Sequence, residues 1–427
     1  MDASGKGQHQ ILDKLVRSCA KCGSCSVVCP VYRVSGRESL TARGRLLLLG
    51  TGLAGHSSPH FREIFSRCLL CGACESVCPR NIEVTEVVSL ARSWFSRFYG
   101  PHGVVRELAR MTLDHPALLQ MLVRAGIGFK RLRSLPVSSG MRIRLGILEE
   151  GAGSGMVEPH LKGKEGEDAG PGIQYFTGCL ARYLQPSVAG ATQKLCRVAI
   201  GSFAVVPGAQ ECCGLAAWSA GKRDQARELA RRNIQAFGGS SGPILTSCAS
   251  CFAHLQRYPE LFLDDPPWRV RAREFSNRVR EFSDFFLARM QGFPFVARRE
   301  MVLFYHDPCH LRFSAPGREM PRKLIKLVAK AHLVNPEKPG SCCGQGGLFH
   351  IGCPDLSERI FTRAAKKALA LGPEMVVTTC SGCLMQWQQG MARSAKPVPV
   401  AHLAVFLADC LGQDTEKIPG EAMVEAG

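Results

Sequence analysis

Two cysteine pairs followed by glycine stand out in this 427-residue sequence: ECCGLAA at 211–217 and SCCGQGG at 341–347. Thiolates are soft ligands for zinc and iron. Adjacent cysteines cannot easily grip one metal ion, but they can bind different irons of a cluster. Glycine after the pair removes a side chain that would strike such a ligand. Each segment therefore predicts a contact with a multinuclear metal centre.

The remaining cysteines support metal binding over disulfides. The chain has 21 cysteines, an odd number, and many of them lie in C-x-x-C groups. The N-terminus, MDASGKGQHQILDK, lacks the apolar region of a signal peptide. We therefore expect a reducing, cytoplasmic compartment and metal-bound thiolates.

Two segments follow the pattern C-x2-C-x2-C-x3-C-P: CAKCGSCSVVCP at 19–30 and CLLCGACESVCP at 68–79. This is the run of bacterial two-cluster ferredoxins, in which the fourth cysteine ligates the other cluster. We therefore expect two [4Fe–4S] clusters, one with the ligands Cys19, Cys22, Cys25 and Cys78 and the other with Cys68, Cys71, Cys74 and Cys29. A zinc site, which also uses C-x2-C pairs, is the alternative.

The segments around these motifs have helical patterns. TARGRLLLLG at 41–50 predicts a short helix capped by Thr41. Residues 84–150 are apolar at helical spacing, with arginine and lysine between, which is typical of core or docking helices; a helix lying on a membrane surface is the alternative. Residues 151–172 are rich in glycine and charge and predict a linker.

Five cysteines recur in the last two thirds of the chain, with an offset of 130 residues for the first three and 132 for the last two. The first set is Cys179, Cys212, Cys213, Cys248 and Cys251, and the second is Cys309, Cys342, Cys343, Cys380 and Cys383. This recurrence indicates an internal duplication. Since four ligands close a zinc site, five thiols favour an iron–sulfur cluster in each copy, with zinc or unligated buried thiols as alternatives. Cys196, Cys353 and Cys410 lie outside the pattern and are expected to be buried.

Each copy alternates strands with helices. The segments GIQYFTGC, ILTSCASC, MVLFYHDPC and MVVTTCSGC predict strands that end near cysteines. Such alternation implies parallel sheets with the cysteines beyond the carboxyl ends of the strands, where open α/β sheets bind ligands.

The fold class follows from these patterns. We predict an α+β multidomain chain, in which an N-terminal α-helical ferredoxin-type domain precedes two duplicated α/β domains, called CCG domains after their Cys-Cys-Gly. The predicted bounds are 1–100 for the ferredoxin-type domain, 101–170 for the connector and linker, 171–295 for the first CCG domain and 296–427 for the second.

The charge of the chain bears on its partners. Lysine and arginine number 54 against 36 acidic residues, a net charge of +18. An anionic membrane surface or an acidic partner protein fits this charge. Nucleic acid does not fit, because no basic stripe with interleaved aromatic residues is present. No apolar run approaches the ~20 residues that cross a bilayer, so any membrane contact would be peripheral, on the inner face.

Together, these motifs resemble the iron–sulfur subunits of glycolate oxidase and of D- and L-lactate dehydrogenases, and also the catalytic subunit of membrane-bound heterodisulfide reductase. The resemblance covers roughly residues 10–100 and 171–410 and includes ARGR, DPCHL, CCGQGG and SGCLMQW. It implies an electron-transfer subunit that accepts electrons from an FAD-containing 2-hydroxy-acid oxidase subunit and passes them to a quinone or another carrier. The chain itself has no G-x-G-x-x-G fingerprint after a strand, so we expect the hydride step to occur in the partner.

The same resemblance leaves an alternative function open. In heterodisulfide reductases the CCG cysteines hold noncubane clusters that cleave a disulfide, which would make this chain a catalytic subunit. A nonredox binding module is a third hypothesis. His306 and His310 flank Cys309 and are either loop histidines or contacts for a proton or substrate; no catalytic residue is assigned.

Overall fold

A computed structural model describes residues 15–51, 58–95, 99–100, 102–131, 172–313, 315–334 and 340–411. The expected helices of 132–150 and most of the expected linker lie outside the described residues. The chain forms two compact units, one of residues 1–111, 214–226 and 341–366, and the other of residues 112–213, 227–340 and 367–427. Each unit draws on several stretches of the chain, whereas the predicted domains follow chain order; their bounds stay a prediction.

The described chain before residue 132 is helical, as the sequence patterns predict. Its helices are α1 (Ser24–Val28), α2 (Pro30–Ser35), α3 (Ala42–Gly50), α4 (Pro59–Ser66), α5 (Val84–Ser93), α6 (Gly103–Asp114) and α7 (Pro116–Arg131), with a 3-10 turn at Glu38–Leu40. The predicted cap of α3 is confirmed, because the Thr41 side chain accepts a hydrogen bond from the Gly44 N–H at 3.0 Å. No helix in the described ranges is both long and apolar enough to cross a membrane.

The first CCG copy contains three short strands. Its elements are β1 (Gln174–Phe176), α8 (Cys179–Tyr183), α9 (Pro186–Ile200), α10 (Leu215–Ser219), α11 (Arg223–Ala236), β2 (Ile244–Thr246), α12 (Ala249–Gln256), α13 (Tyr258–Leu261), α14 (Pro266–Arg278), β3 (Val279–Glu281) and α15 (Phe282–Leu287). The three strands form a parallel sheet in the order β1-β2-β3.

The second CCG copy repeats this plan with one additional strand. Its elements are β4 (Val296–Tyr305), α16 (Cys309–Arg312), α17 (Ala315–Lys326), β5 (Ala329–Val334), α18 (Phe349–Gly352), α19 (Pro354–Leu369), β6 (Met375–Thr378), α20 (Ser381–Met391), β7 (Val400–His402) and α21 (Leu403–Asp409). The sheet is parallel in the order β5-β4-β6-β7. The first copy has a single parallel bridge, between Gln174 and Val205, where the second has β5. The prediction of parallel sheets is confirmed.

Both sheets lie in the larger unit and share one apolar core. Tyr175 of β1 and Leu303 of β4 belong to it, together with side chains of α15 and α21. Strand β2 and the last three residues of β4 and of β6 are buried without alternation, as expected for parallel strands with helices on both faces of the sheet. The three cysteines outside the duplicated pattern are buried, as expected: Cys196, Cys353 and Cys410.

Candidate iron–sulfur centres

The first ferredoxin motif lines a cavity that is open to solvent, with about 400 Å³ of empty space when the adjoining solvent is included. Among its lining residues are the four cysteines expected to bind the first cluster: Cys19, Cys22, Cys25 and Cys78. Cys22 is the only exposed cysteine of the 21, so this cavity lies close to solvent. Gly23 has a φ of +84°, and a Cβ there would lie 2.9 Å from an Arg43 nitrogen, so the position favours glycine.

A second cavity, with about 410 Å³ of empty space when the adjoining solvent is included, is lined by the other expected ligand set: Cys29, Cys68, Cys71 and Cys74. Burial raises the pKa of the Cys29 thiol, and burial with the nearby Cys71 and Cys68 raises the pKa of Cys74 well above its usual range. Grouped, buried thiols thus resist ionisation on their own. A bound metal centre reverses this preference because its positive irons stabilise thiolates. Cys74 lines both cavities, so the two sites adjoin.

A buried arginine beside the second cavity supports an anionic occupant. Arg45 lines this cavity and is 2% exposed. Its guanidinium donates to the carbonyl oxygens of Leu40, of Ile64 at 3.2 Å and of Arg67 at 2.9 Å. Among the described residues no carboxylate pairs with it. Since a buried charge without a counter-charge is costly, and an all-thiolate four-iron cluster carries roughly −2, the residues present fit that group.

The five cysteines of the first CCG set lie together in the larger unit. Cys179 begins α8 shortly after β1, and Cys248 precedes α12 shortly after β2, so both follow carboxyl ends of strands. Hydrogen bonds join the thiols in pairs: Cys179 with Cys212, Cys213 with Cys251, and Cys248 with Cys251. The hydrogen bond to Cys212 and burial raise the pKa of Cys179 well above its usual range. The neighbouring thiols and burial likewise raise the pKa of Cys248 and Cys251, so these three thiols resist ionisation without a metal.

Two buried side chains fix the backbone of the paired cysteines. The Asn233 amide donates to the Cys212 carbonyl oxygen at 3.0 Å, and the Tyr258 hydroxyl donates to the Cys213 carbonyl oxygen at 2.9 Å. Asn233 and Tyr258 are both fully buried. Such supporting hydrogen bonds orient metal ligands. Sequence reasoning missed both residues, since neither lies near a cysteine in the chain.

Buried hydroxyl groups near these cysteines also point to a ligand. The side chains of Thr177 and Thr246 are fully buried, and neither hydroxyl has a hydrogen-bond partner within the described part of the chain. Thr177 lies two residues before Cys179, and Thr246 two residues before Cys248. Buried polar groups normally have partners, so these hydroxyls are suited to donate to sulfur atoms of a bound cluster.

The residues of the second CCG set fall in both units. Cys309 begins α16, and Cys380 and Cys383 lie at the start of α20, all in the larger unit. Cys342 and Cys343 are buried and belong to the 341–366 segment of the smaller unit. That all five bind one cluster stays a prediction.

The glycine after the second cysteine pair has a structural reason that the sequence did not supply. Gly344 has a φ of +89°, and a Cβ there would lie 2.6 Å from the Ser357 carbonyl oxygen. The Ser357 hydroxyl in turn donates to the Gly344 carbonyl oxygen at 2.9 Å. Close packing on α19 therefore accounts for this glycine, in addition to the ligand clearance expected from the sequence.

The first CCG set contacts one cysteine of the second set within the larger unit. The Ser250 hydroxyl lies 3.2 Å from the Cys380 sulfur and 3.0 Å from His310 Nδ1. Hydrogen bonds from Cys248 and Cys383 hold the pKa of Cys380 well below its usual range. The position of Ser250 in the second copy is Gly382, so this hydroxyl contact is not duplicated. The copies are thus adjacent at Cys248 and Cys380.

The histidines beside Cys309 differ in their surroundings. His306 is 2% exposed, and its backbone N–H donates to the Val377 carbonyl oxygen at 2.8 Å. His310 contacts the Ser250 hydroxyl through Nδ1. These contacts agree with either role expected from the sequence.

Two family models match the chain. A model of a 4Fe-4S dicluster domain matches residues 15–82, and a model of a cysteine-rich domain, named CCG, matches residues 173–256 and 303–388. The duplication and the N-terminal motifs predicted from the sequence are therefore recognised as domains.

Several named proteins of other organisms are similar over more than half of the chain. The probable glycolate oxidase iron-sulfur subunit of Bacillus subtilis (strain 168) is 29% identical, across 93% of this chain and 94% of the relative. A subunit of the dihydromethanophenazine:CoB--CoM heterodisulfide reductase of Methanosarcina acetivorans is 26% identical, across 93% of this chain and 95% of the relative. Lactate utilization protein A of an Exiguobacterium species is 28% identical, across 57% of this chain and 99% of the relative.

Proposed function

We propose a function for this chain from the premise that it belongs to the family that joins a 4Fe-4S dicluster domain to two CCG cysteine-rich domains. It is an iron–sulfur electron-transfer subunit of a larger complex. The finer proposal is that a partner subunit containing FAD oxidises a 2-hydroxy acid, glycolate or lactate. Electrons then pass through this chain to a quinone or another carrier. The similarity to the glycolate oxidase subunit of Bacillus subtilis supports this choice.

The observation that carries the proposal is the pair of adjoining cavities in the smaller unit. Each is lined by a complete four-cysteine set, and in each set the fourth cysteine comes from the other motif. Two clusters bound there would lie side by side, which suits the passage of single electrons. In the larger unit, the five thiols of the first CCG set lie together and Cys248 is hydrogen-bonded to Cys380 of the second set, which supports a further centre there.

Metal analysis tests the cluster content. We expect about 16 irons and as many sulfides per chain after anaerobic purification, because four clusters of four irons would be bound. Eight irons or fewer would contradict clusters in both CCG domains. Zinc in place of iron would contradict the electron-transfer role.

Co-purification from the native cells without oxygen tests the partner. We expect a second subunit with flavin absorbance that bleaches when a 2-hydroxy acid is added. Reduction of the iron–sulfur absorbance should follow in the same sample. A complex that lacks flavin would contradict the finer proposal.

A second candidate is a disulfide reductase of the heterodisulfide type. The presence of all ten CCG cysteines and the similarity to the heterodisulfide reductase subunit across 93% of the chain favour it. In this case two electrons and two protons convert one disulfide into two thiols. Chemically reduced protein mixed with a small mixed disulfide should then release two thiols per disulfide consumed, whereas the electron-transfer proposal predicts no thiol release.

A further inference from the structure

Helix α3 carries two arginines, and each lines a different ferredoxin cavity. Arg43 lines the cavity of Cys22, and Arg45 lines the cavity of Cys71. They come from the same short stretch, ARGR, yet their surroundings differ. Solvent and neighbouring groups screen the two positive charges to different extents, so the electrostatic effect on the adjoining cavity differs.

The charge of Arg43 is largely compensated. Its side chain is 35% exposed, and Nε and Nη2 each lie 2.8 Å from the Glu38 carboxylate. Solvent and this carboxylate both screen the guanidinium. Two further cations that line the cavity, Lys21 and Arg80, are exposed.

Within the described ranges, no carboxylate compensates the charge of Arg45. Its partners are carbonyl oxygens, and it is almost completely buried. A second buried arginine, Arg92, is also hydrogen-bonded to backbone: its guanidinium donates to the carbonyl oxygens of Cys68 at 2.8 Å and Phe65 at 2.9 Å. Arg92 is 7% exposed. Both guanidiniums are thus hydrogen-bonded to backbone next to the ligands of the second cavity.

Reduction adds one negative charge to a cluster, so a nearby cation stabilises the reduced form. The effect is larger for a buried, unpaired cation than for an exposed, paired one, because the local dielectric is lower and less salt intervenes. We propose that the site of Cys29, Cys68, Cys71 and Cys74 has a higher reduction potential than the site of Cys19, Cys22, Cys25 and Cys78, and that the unequal pairing of Arg43 and Arg45 sets the difference. This inference rests on the proposed function, in which both sites hold clusters.

The consequence is a direction for electron transfer. With both sites loaded, one electron would pass from a reduced centre held by Cys19, Cys22, Cys25 and Cys78 to an oxidised centre held by Cys29, Cys68, Cys71 and Cys74. No proton or further reactant is needed for this step. Because the first cavity has the one exposed cysteine, Cys22, electrons enter there from outside and move inward.

A redox titration of the full chain, purified anaerobically and followed by electron paramagnetic resonance, tests the proposal. Cys22→Ser and Cys71→Ser assign the signals to the first and second sites. In the unaltered chain we expect the second site to be reduced at the higher potential. The reverse order would overturn the proposal.

Substitution of the arginines tests their role. Arg45→Gln should lower the reduction potential of the second site. At a fixed applied potential, the ratio of oxidised to reduced centres should rise at least tenfold, which corresponds to about 59 mV for one electron. Arg45→Lys, which keeps the charge, should recover most of the shift. Arg43→Gln is the matched control on the same helix, and it should move the first site by less. An unchanged second-site potential in iron-loaded Arg45→Gln would overturn the proposal.

A variant at an exposed residue tests the same proposal if Arg45→Gln fails to bind iron. Glu38→Gln removes the counter-charge of Arg43 and keeps an oxygen for the Thr41 hydroxyl, which lies 3.2 Å from Glu38 Oε1. The potential of the first site should rise and the gap between the sites should narrow. No rise would overturn the proposal. Absence of iron from the unaltered chain would instead refute the proposed function.

Discussion

At the scale of single residues, the crossed ligands of the ferredoxin motifs make opposite predictions for two similar cysteines. Cys78→Ser should damage the cluster whose other ligands belong to the first motif, because Cys78 lines that cavity. Cys29→Ser is the reciprocal variant and should damage the other cluster. Electron paramagnetic resonance of each reduced variant distinguishes the two signals. Loss of the same signal from both variants would contradict the crossed assignment.

A second prediction at this scale concerns the cysteine pair of the second CCG domain. Cys343→Ser should remove the signal of one cluster and leave both ferredoxin clusters reducible, because only the CCG set loses a ligand. Cys353→Ser is the control, since Cys353 is buried but outside the duplicated pattern. Unchanged spectra of Cys343→Ser would contradict the five-ligand assignment.

The glycine after this pair gives a prediction about stability. Gly344→Ala places a Cβ 2.6 Å from the Ser357 carbonyl oxygen and keeps a φ of +89°, whereas Gly347 has a φ of +59° and no atom within 4 Å of an added Cβ. We expect Gly347→Ala to lower the free energy of unfolding by about 1–2 kcal/mol, from backbone strain alone. Gly344→Ala should cost at least about twice as much. Denaturant unfolding of both variants measures this, and equal costs would contradict close packing at Gly344.

At the scale of elements, the two CCG copies use the same cap position differently. Helix α15 follows β3, and the Glu281 carboxylate accepts hydrogen bonds from the N–H groups of Ser283 at 2.6 Å and Asp284 at 3.2 Å. Helix α21 follows β7, and His402 Nδ1 accepts from the Ala404 N–H at 3.1 Å. An acid and an imidazole therefore stabilise equivalent helix N-termini.

Burial makes the first of these caps sensitive to pH. It raises the pKa of Glu281 from 4.5 to about 7. Between these values the folded chain keeps a proton that the unfolded chain releases, so the free energy of unfolding falls as pH rises. Relative to Glu281→Gln, the fall should be on the order of 3 kcal/mol between pH ~4.5 and ~7. Denaturant titrations across this pH range measure the free energy of unfolding of both chains. The same pH dependence in both would contradict the raised pKa of Glu281.

At the scale of the whole molecule, the net charge of +18 predicts how the partner is held. An acidic partner would be attracted over about one Debye length, ~10 Å at 0.1 M salt and less above it. We expect recovery of the partner in co-purification to fall as salt rises. Recovery that is unaffected by salt would contradict an electrostatic contact.

The sequence predicted which cysteines would lie together at the two ferredoxin cavities, because ligand spacing is a local property. Four cysteines at fixed spacing indicate a cluster whatever surrounds them, and strands before Cys179 and Cys248 follow from short apolar runs. By contrast, Arg45 in a helical stretch is indistinguishable from a solvated surface arginine until its burial is known. The contact of Ser250 with Cys380 joins residues 130 apart in the chain. Such features depend on tertiary packing, which spacing does not encode.

The core shared by the two sheets has a consequence for how such a chain can evolve. Phe282 and Phe286 of one copy and Leu403 and Leu407 of the other fill a single apolar interior. Once the copies of an ancestral gene had merged their interiors in this way, neither could be deleted without leaving the survivor prone to aggregation. Mutation can therefore specialise one half relative to the other, but it cannot easily return the lineage to a single half.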